Sequence, residues 1–420
     1  MNRVMSWVRA SPAAASAATN DDDKPALSRR TTRSSTASWL STASLSTAAT
    51  SFVDEPPVLA STATITPSRT VMSIDAGGIL GVHALVVFET LDAAVKEEEL
   101  ARGLPSRPLS SYFDQVAGTS AGSLVSVLLA CAPVDRMVDM WASFAHGVFC
   151  HSLLDRCRRA WAHGVNILVR KASTRKLRNQ LAVALNDLGL GSDATMADLG
   201  ARRNTPNVSI VVTSAREAGV PIVVSSRSSE MREGFADLSH LRILDATAAS
   251  SSAPSFFKPT PLAFDRAQPH LFTPCVDGAL AAANPTAALR LKPQETALVI
   301  SIGLSSGTKR GADLGAKPTV TNLFLWLKGF GRIIVDPERI HEEMQTHFEW
   351  AERPESYVRI PAPDIYDRAQ LDEFDKIPEL VAASRAMFKD PEWAHKIRRL
   401  AERVVAIKFA QPGKAPPASG

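Results

Sequence analysis

Cysteine is scarce in this chain: four among 420 residues, Cys131, Cys150, Cys157 and Cys275. They lack metal-ligand spacing and the density of a secreted disulfide scaffold, so no metal is expected and a reducing, cytoplasmic setting with core thiols fits. An excess of one charge is also lacking. The formal net charge of +4 is small for this length and gives no reason to propose nucleic acid as partner. Uninterrupted apolar runs of about 18 residues are missing too, since the most apolar stretch, 71–95, is broken by Asp75, His83 and Glu89, and a membrane-spanning helix is not expected. No internal repeat is present. Glycines occur after the first strand, but not as G-x-G-x-x-G with an acid closing a second strand, which argues against a dinucleotide site. No cofactor is expected.

What is present is a chain with 45% hydrophobic residues, enough to bury a large core. Residues 1–69 form a tail of Ser, Thr, Ala and Pro with almost no apolar periodicity, whose composition reads as disordered. Arg3 and Arg9 with no early acid resemble a mitochondrial presequence, but Asp21, Asp22 and Asp23 follow at once and favour a plain tail. From Thr70 the pattern becomes strand, glycine turn, helix, twice over, which is α/β patterning. Val208 to Thr213 and Pro221 to Ser225 read as a hairpin, and Thr296 to Ile302 as a buried strand. The small-residue run Asp245 to Pro254 predicts a closely packed helix that stops at the proline. Beyond about residue 315 the pattern is mostly helical.

One helical stretch has a marked charge bias. Leu154, Cys157, Trp161, Val165 and Leu168 recur at helical spacing on one face. Arg156, Arg158, Arg159, Arg170, Lys171, Arg175, Lys176 and Arg178 accompany them, with no acid in the span. This is either a solvated face or a surface for peripheral contact with an anionic membrane.

The chain is organised around Gly118-Thr119-Ser120-Ala121-Gly122. Gln115, Val116 and Ala117 lead in as a strand, and Leu124 to Leu129 lead out as a buried helix. A strand can enter a helix this abruptly only if the central residue takes a strained conformation and its neighbours are small. Ser120 then projects its hydroxyl at a helix N-terminus, where free N–H groups favour negative charge. Taken alone, G-x-S-x-G could equally be a glycine-rich turn with an incidental serine.

Three stretches in order narrow that choice: Asp75-Ala76-Gly77-Gly78-Ile79-Leu80-Gly81, Gly118 to Gly122, and Asp277-Gly278-Ala279. Together they resemble the patatin-like phospholipase family. Tyr112-Phe113-Asp114, Ala248 to Phe257, Asn284-Pro285 and Ser301-Ile302-Gly303 extend the similarity over roughly residues 70–310, with looser likeness at Tyr357-Val358-Arg359-Ile360. The resemblance implies a three-layer α/β fold with a central, mostly parallel sheet and helices on both faces. It implies a phospholipase domain over 70–310 and a helical C-terminal region over 311–420 packed on it. It also implies Ser120 as nucleophile, Asp277 as proton acceptor, Gly77 and Gly78 as the oxyanion hole, and an acyl lipid ester as substrate. Three departures bear on activity. Ala76 stands where the family has glycine, which carries a cost of roughly 1 kcal/mol if that position needs positive φ. Leu80 replaces Arg or Lys, and Ala283 replaces an Asn.

Two other readings compete. An α/β-hydrolase would use Ser120 with an acid such as Asp198 or Asp245 and then a histidine, chiefly His270. A catalytically impaired lipid-binding or regulatory protein of the same fold would be accounted for by Ala76 and Leu80.

Overall fold

Among the described residues eight strands form one mixed sheet, and five of them in succession, ending at one edge, are parallel. The structure is a computed structural model that describes residues 68–150, 172–231, 234–254, 256–306 and 336–410. Residues 1–67 of the tail, residues 156–171 of the basic span and the apolar face from Leu154 to Leu168 lie outside the described residues, while Arg69 already belongs to the first strand.

The strands are β1 (Arg69–Ile74), β2 (Gln115–Thr119), β3 (Asn207–Ser214), β4 (Ile222–Ser225), β5 (Thr260–Leu262), β6 (Thr273–Asp277), β7 (Thr296–Ile302) and β8 (Tyr357–Ile360). Their order is β5-β6-β3-β2-β1-β7-β8, with β4 on the other side of β3. β1 is a near-continuous β-branched and apolar run because both of its faces are covered. Met72 and Ile74 enter the main apolar cluster with Leu85, Phe88 and Leu91 of helix α1 (Val82–Ala101) and Val125 and Leu128 of α2 (Ala121–Cys131). Val71, one residue out of phase, joins Val299, Ile340, Met344 and Phe348 on the opposite face. This period-two alternation makes three layers.

α1, with the short 3-10 turn before it, is long and apolar enough to cross a membrane, but 72% of its most apolar window is buried inside the protein, as befits a core helix. α3 (Val134–Phe149) and α4 (Thr174–Asp187) follow, then the short α5 (Met196–Gly200), α6 (Ile243–Ser250) and the single turn α7 (Ala279–Ala282). The predicted hairpin is β3 and β4, paired antiparallel from Ser209↔Ser225 to Val212↔Ile222. The small-residue run forms α6, ending before Pro254.

The C-terminal region, expected to be mostly helical, carries three helices and one strand among its described residues. α8 (Pro337–Trp350), α9 (Ile377–Met387) and α10 (Pro391–Ala410) are present. Between α8 and α9, however, β8 pairs in parallel with β7, from Val299↔Tyr357 to Ile302↔Ile360. This stretch is therefore part of the sheet. Its helices also anchor α1, where the buried His83 imidazole shares a 2.9 Å hydrogen bond with Ser384 Oγ of α9.

Candidate active site

The register of β3 brings the serine and the aspartate together. β2 runs beside β3 as far as Thr119↔Val211 and then turns into α2 at Ser120. β3 continues, and β6 takes up the vacated edge with Asp277 opposite Val212. Val212 also pairs with Ile222 of β4, so β6 must lie on the same side of β3 as β2. Asp277 consequently stands one register step beyond Thr119, beside Ser120, at the carboxyl ends of the parallel strands.

Ser120 has φ 54° and ψ −122°, a conformation that costs an L-residue on the order of 1–3 kcal/mol. The surrounding packing holds it there. A Cβ on Gly118 would lie 1.9 Å from the Gly122 carbonyl oxygen, and one on Gly122 would lie 2.4 Å from that of Ile74. Only glycine fits at either flank. The Ser120 N–H donates to Ser250 Oγ at 2.8 Å, and Ser250 in turn donates to the Val211 carbonyl at 2.6 Å. The Ser120 carbonyl accepts from Ser123 N–H and Oγ.

Ser120 Oγ, on a half-buried residue, donates to Asp277 Oδ2 at 2.7 Å. The carboxylate is buried, and its Oδ1 accepts the Ala279 N–H at 2.9 Å. Two carbonyls hold the turn's backbone, with Asp277 N–H donating to Ser252 and Gly278 N–H to Ser250. Burial pushes the Asp277 carboxyl up to about 7, against the opposing pull of the Ala279 and Ser120 hydrogen bonds.

The glycine loop follows β1. Asp75 N–H donates to Ile302, Ala76 N–H to Ala283 and Ile79 N–H to Leu371. Among the described residues, no acceptor takes the Gly77 or Gly78 amide, which lie between these anchors. Gly78 alone in the loop has positive φ, at +56°, and a Cβ there would come within 2.6 Å of the Leu371 carbonyl oxygen. Ala76 is not among the positive-φ residues. The expected strain at Ala76 is therefore absent, because the left-handed position is two residues further on. Leu80 is a core residue of the main cluster, Ala283 is used through its carbonyl, and Gly81 packs against the Trp141 ring.

Beneath the loop lies a buried polar network. Asn284 Oδ1 accepts from Ser73 Oγ, and its Nδ2 donates to Ser301 Oγ, both at 3.2 Å. Arg359 of β8 donates from Nη1 to Ser301 Oγ at 2.8 Å and from Nη2 to Asp75 Oδ2 at 2.6 Å. The same Nη2 meets Glu338 Oε1 of α8. Burial pushes the Asp75 carboxyl up to about 6 although the Arg359 guanidinium pulls it down. Burial also works against the charge on Arg359, but the two carboxylates hold its proton more firmly than an ordinary guanidinium does.

The residues of a Ser-acid-His triad are not assembled here. His270 is exposed on the loop before β6, Asp245 is paired with Arg178 and Arg242, and Asp198 closes a capping box with Thr195. Among the described residues no histidine hydrogen-bonds Ser120 or Asp277. Three contributors went unread in the sequence: Ser250, Arg359 and the Leu371 carbonyl. Ser250 lay within the run marked for close packing, and Arg359 within an otherwise apolar tetrapeptide; a backbone carbonyl such as that of Leu371 leaves no sequence signal.

The family model described as patatin-like phospholipase matches residues 72–290. Patatin-like protein 1 of Arabidopsis thaliana is 25% identical over 365 residues, covering 76% of this chain and 82% of its own. A cGAMP-activated phospholipase of Escherichia coli (strain TW11681) is 25% identical over 198 residues, covering 46% of this chain and 48% of its own. Among solved structures, VipD from Legionella pneumophila aligns over 76% of this chain and 67% of its own with a TM-score of 0.32 and 14% identity. With more than half of its length matched by the family model, this chain belongs to the patatin-like phospholipase family.

Proposed function

We propose that this protein is a lipid acyl hydrolase, of phospholipase, lysophospholipase or acylglycerol lipase type, that works through an acyl-Ser120 intermediate with Asp277 as base. One observation carries the reading: the hydroxyl of a serine held at positive φ donates directly to a buried carboxylate at 2.7 Å. A carboxylate in water is a poor base towards a hydroxyl. Burial that lifts Asp277 to about 7 makes it a better one near neutral pH.

As Ser120 Oγ attacks the ester carbonyl, its proton passes to Asp277 Oδ2. The negative charge that develops on the carbonyl oxygen is taken by the Gly77 and Gly78 amides, and one such donor is worth roughly 3–4 kcal/mol of barrier. Collapse of the tetrahedral adduct expels the alcohol, which receives the proton from Asp277. Water then attacks the acyl-enzyme while Asp277 takes its proton, and the acid leaves as Ser120 regains a hydrogen. Ala279 N–H fixes Oδ1 throughout, so that Oδ2 is the oxygen facing the serine.

The experiment is labelling with a fluorophosphonate followed by peptide mapping. Label on Ser120, lost in Ser120→Ala together with ester turnover, is the expected result. Label on a different serine refutes the assignment. The proposal extends to peripheral contact with anionic membrane through the basic span Arg156 to Arg178 in a cytoplasmic setting. Changing Arg158, Arg159, Lys171 and Arg175 to Gln weakens binding to anionic vesicles in a salt-dependent way and spares cleavage of a soluble short ester. Unchanged vesicle binding refutes this extension.

A further inference from the structure

We propose that Arg359 is a positioning residue for the glycine loop, so that the C-terminal stretch of the chain, outside the family match, completes the active site. This inference rests on the acyl-hydrolase reading and adds to it a residue 284 positions away from the loop it orders.

Residues of that stretch pin the loop at both ends. At its start, Asp75 is tied by its side chain to Arg359; at its end, the Ile79 N–H is tied to the Leu371 carbonyl at 3.1 Å. Between these ties stand Gly77 and Gly78, whose amides must meet a developing oxyanion to within a few tenths of an ångström to be useful. Asp75 is two residues from Gly77. Few soft dihedrals separate them, so a shift of the Asp75 anchor is handed on to the amides.

The tie requires arginine. One planar guanidinium meets Ser301 through Nη1 and both Asp75 and Glu338 through Nη2, a geometry that an ammonium on a flexible stem does not reproduce. The surroundings are shaped for it. A Cβ on Gly303 would sit 2.9 Å from Nη2 and 3.0 Å from Cζ, so the glycine at the end of β7 admits the guanidinium plane. Arg359 and Asp75 are both nearly inaccessible, with side-chain exposures of 5% and 0%, so neither has water as an alternative partner. Without the cation, Asp75 would be an unpaired buried carboxylate, and it would take up a proton or move towards solvent. Either change loosens the start of the loop. The same network extends to Asn284, whose Nδ2 donates to Ser301 Oγ and whose Oδ1 accepts from Ser73 of β1.

A purely structural arginine, one that only fastens β8 and α8 to the sheet, would affect how much protein folds and not how fast each folded molecule works. The test separates these. Full-length wild type and Arg359→Lys are compared on a soluble short-chain nitrophenyl ester, with active sites counted by fluorophosphonate titration run to completion. The expected result is a fall in kcat per titrated site of about 10- to 100-fold with KM held within about threefold. The acid limb of the pH profile stays where it is in wild type, because Asp277 is untouched. Equal kcat per titrated site in the two proteins, with only the titrated fraction reduced, overturns the inference and leaves the hydrolase reading standing. Wild type without turnover or label removes both together. Should Arg359→Lys fail to fold, the triple variant Arg359→Met, Asp75→Asn, Glu338→Gln removes the buried charges as a set. In that variant a kcat per titrated site reduced at near-constant KM supports the inference, and an unchanged one refutes it.

Discussion

Replacing Asp277 by asparagine is expected to inactivate this protein and, in alkaline solution, to stabilise it. Burial raises the carboxyl from 3.8 to about 7. A raised value means that the folded state holds this proton more tightly than the unfolded chain does. The group therefore opposes folding increasingly as pH rises from about 4 to 7, and the full penalty is present above that range. Roughly three pKa units at 1.36 kcal/mol each put the full penalty near 4 kcal/mol. At pH 5 less than half of it has developed. Asparagine carries no charge at either pH, so its stability relative to wild type should improve by roughly 2.5 kcal/mol between pH 5 and pH 9. Its side chain can still accept the Ala279 N–H and donate to Ser120 Oγ, which keeps the packing change small. With an unfolding entropy of about 2 cal/mol/K per residue over the roughly 290 described residues, that difference amounts to about 4 °C in Tm. The assay is thermal denaturation of both proteins at pH 5 and pH 9, alongside ester turnover, which should fall about 10²- to 10⁴-fold. A Tm difference that is the same at both pH values, or that moves against the variant as pH rises, refutes the claim that this carboxyl is held above its ordinary range.

The same shift predicts that kcat/KM on a neutral ester falls on the acid side with a midpoint near pH 7, since the base must be ionised; a midpoint near 4 contradicts it. His270→Ala should leave that profile and the rate unchanged, and an inactive, folded His270→Ala restores the triad. Gly78→Ala combines positive φ with a Cβ 2.6 Å from the Leu371 carbonyl, so kcat should fall by 10²-fold or more as the loop is displaced, on the order of the loss of one oxyanion donor. Ser250→Ala unpairs the Ser120 N–H and the buried Val211 carbonyl; a loss of about 1–3 kcal/mol in urea denaturation is expected, and wild-type stability would show that neither bond matters.

The parts of the site that could be read in advance are those written in consecutive residues. Ser120 stands between glycines that packing later proves necessary, and Asp277 stands in a turn whose own amide, from Ala279, fixes the carboxylate. Both depend on local geometry, which short spacings encode. The place of strain in the glycine loop was harder to read. Sequence identifies a glycine-rich loop but not which member is left-handed, and here it is Gly78, so Ala76 is accommodated without penalty. Arg359 was hidden for a different reason. Its partners are Asp75, Ser301 and Glu338, three residues scattered through the chain, and only the pairing of β8 with β7 brings them to one point. β8 itself is four residues long in a stretch dominated by helical patterning, too short for periodicity to announce.

The arrangement of the sheet also sets the order in which the protein can be made. β1 is synthesised first among the described strands, yet its neighbour β7 and the arginine that anchors its end come in the last third of the chain. At 5–20 residues per second, the 284 residues between Asp75 and Arg359 take roughly 15 to 60 s to emerge. Until β7 has emerged, 228 residues after Ile74 and so roughly 11 to 46 s later, the apolar run Val71 to Ile74 has at most one of its two strand neighbours and an open edge available to other chains. A ribosome-bound chain of this protein is thus an aggregation hazard until its last third appears, and a fragment ended at the family boundary, residue 290, would remain in that state permanently.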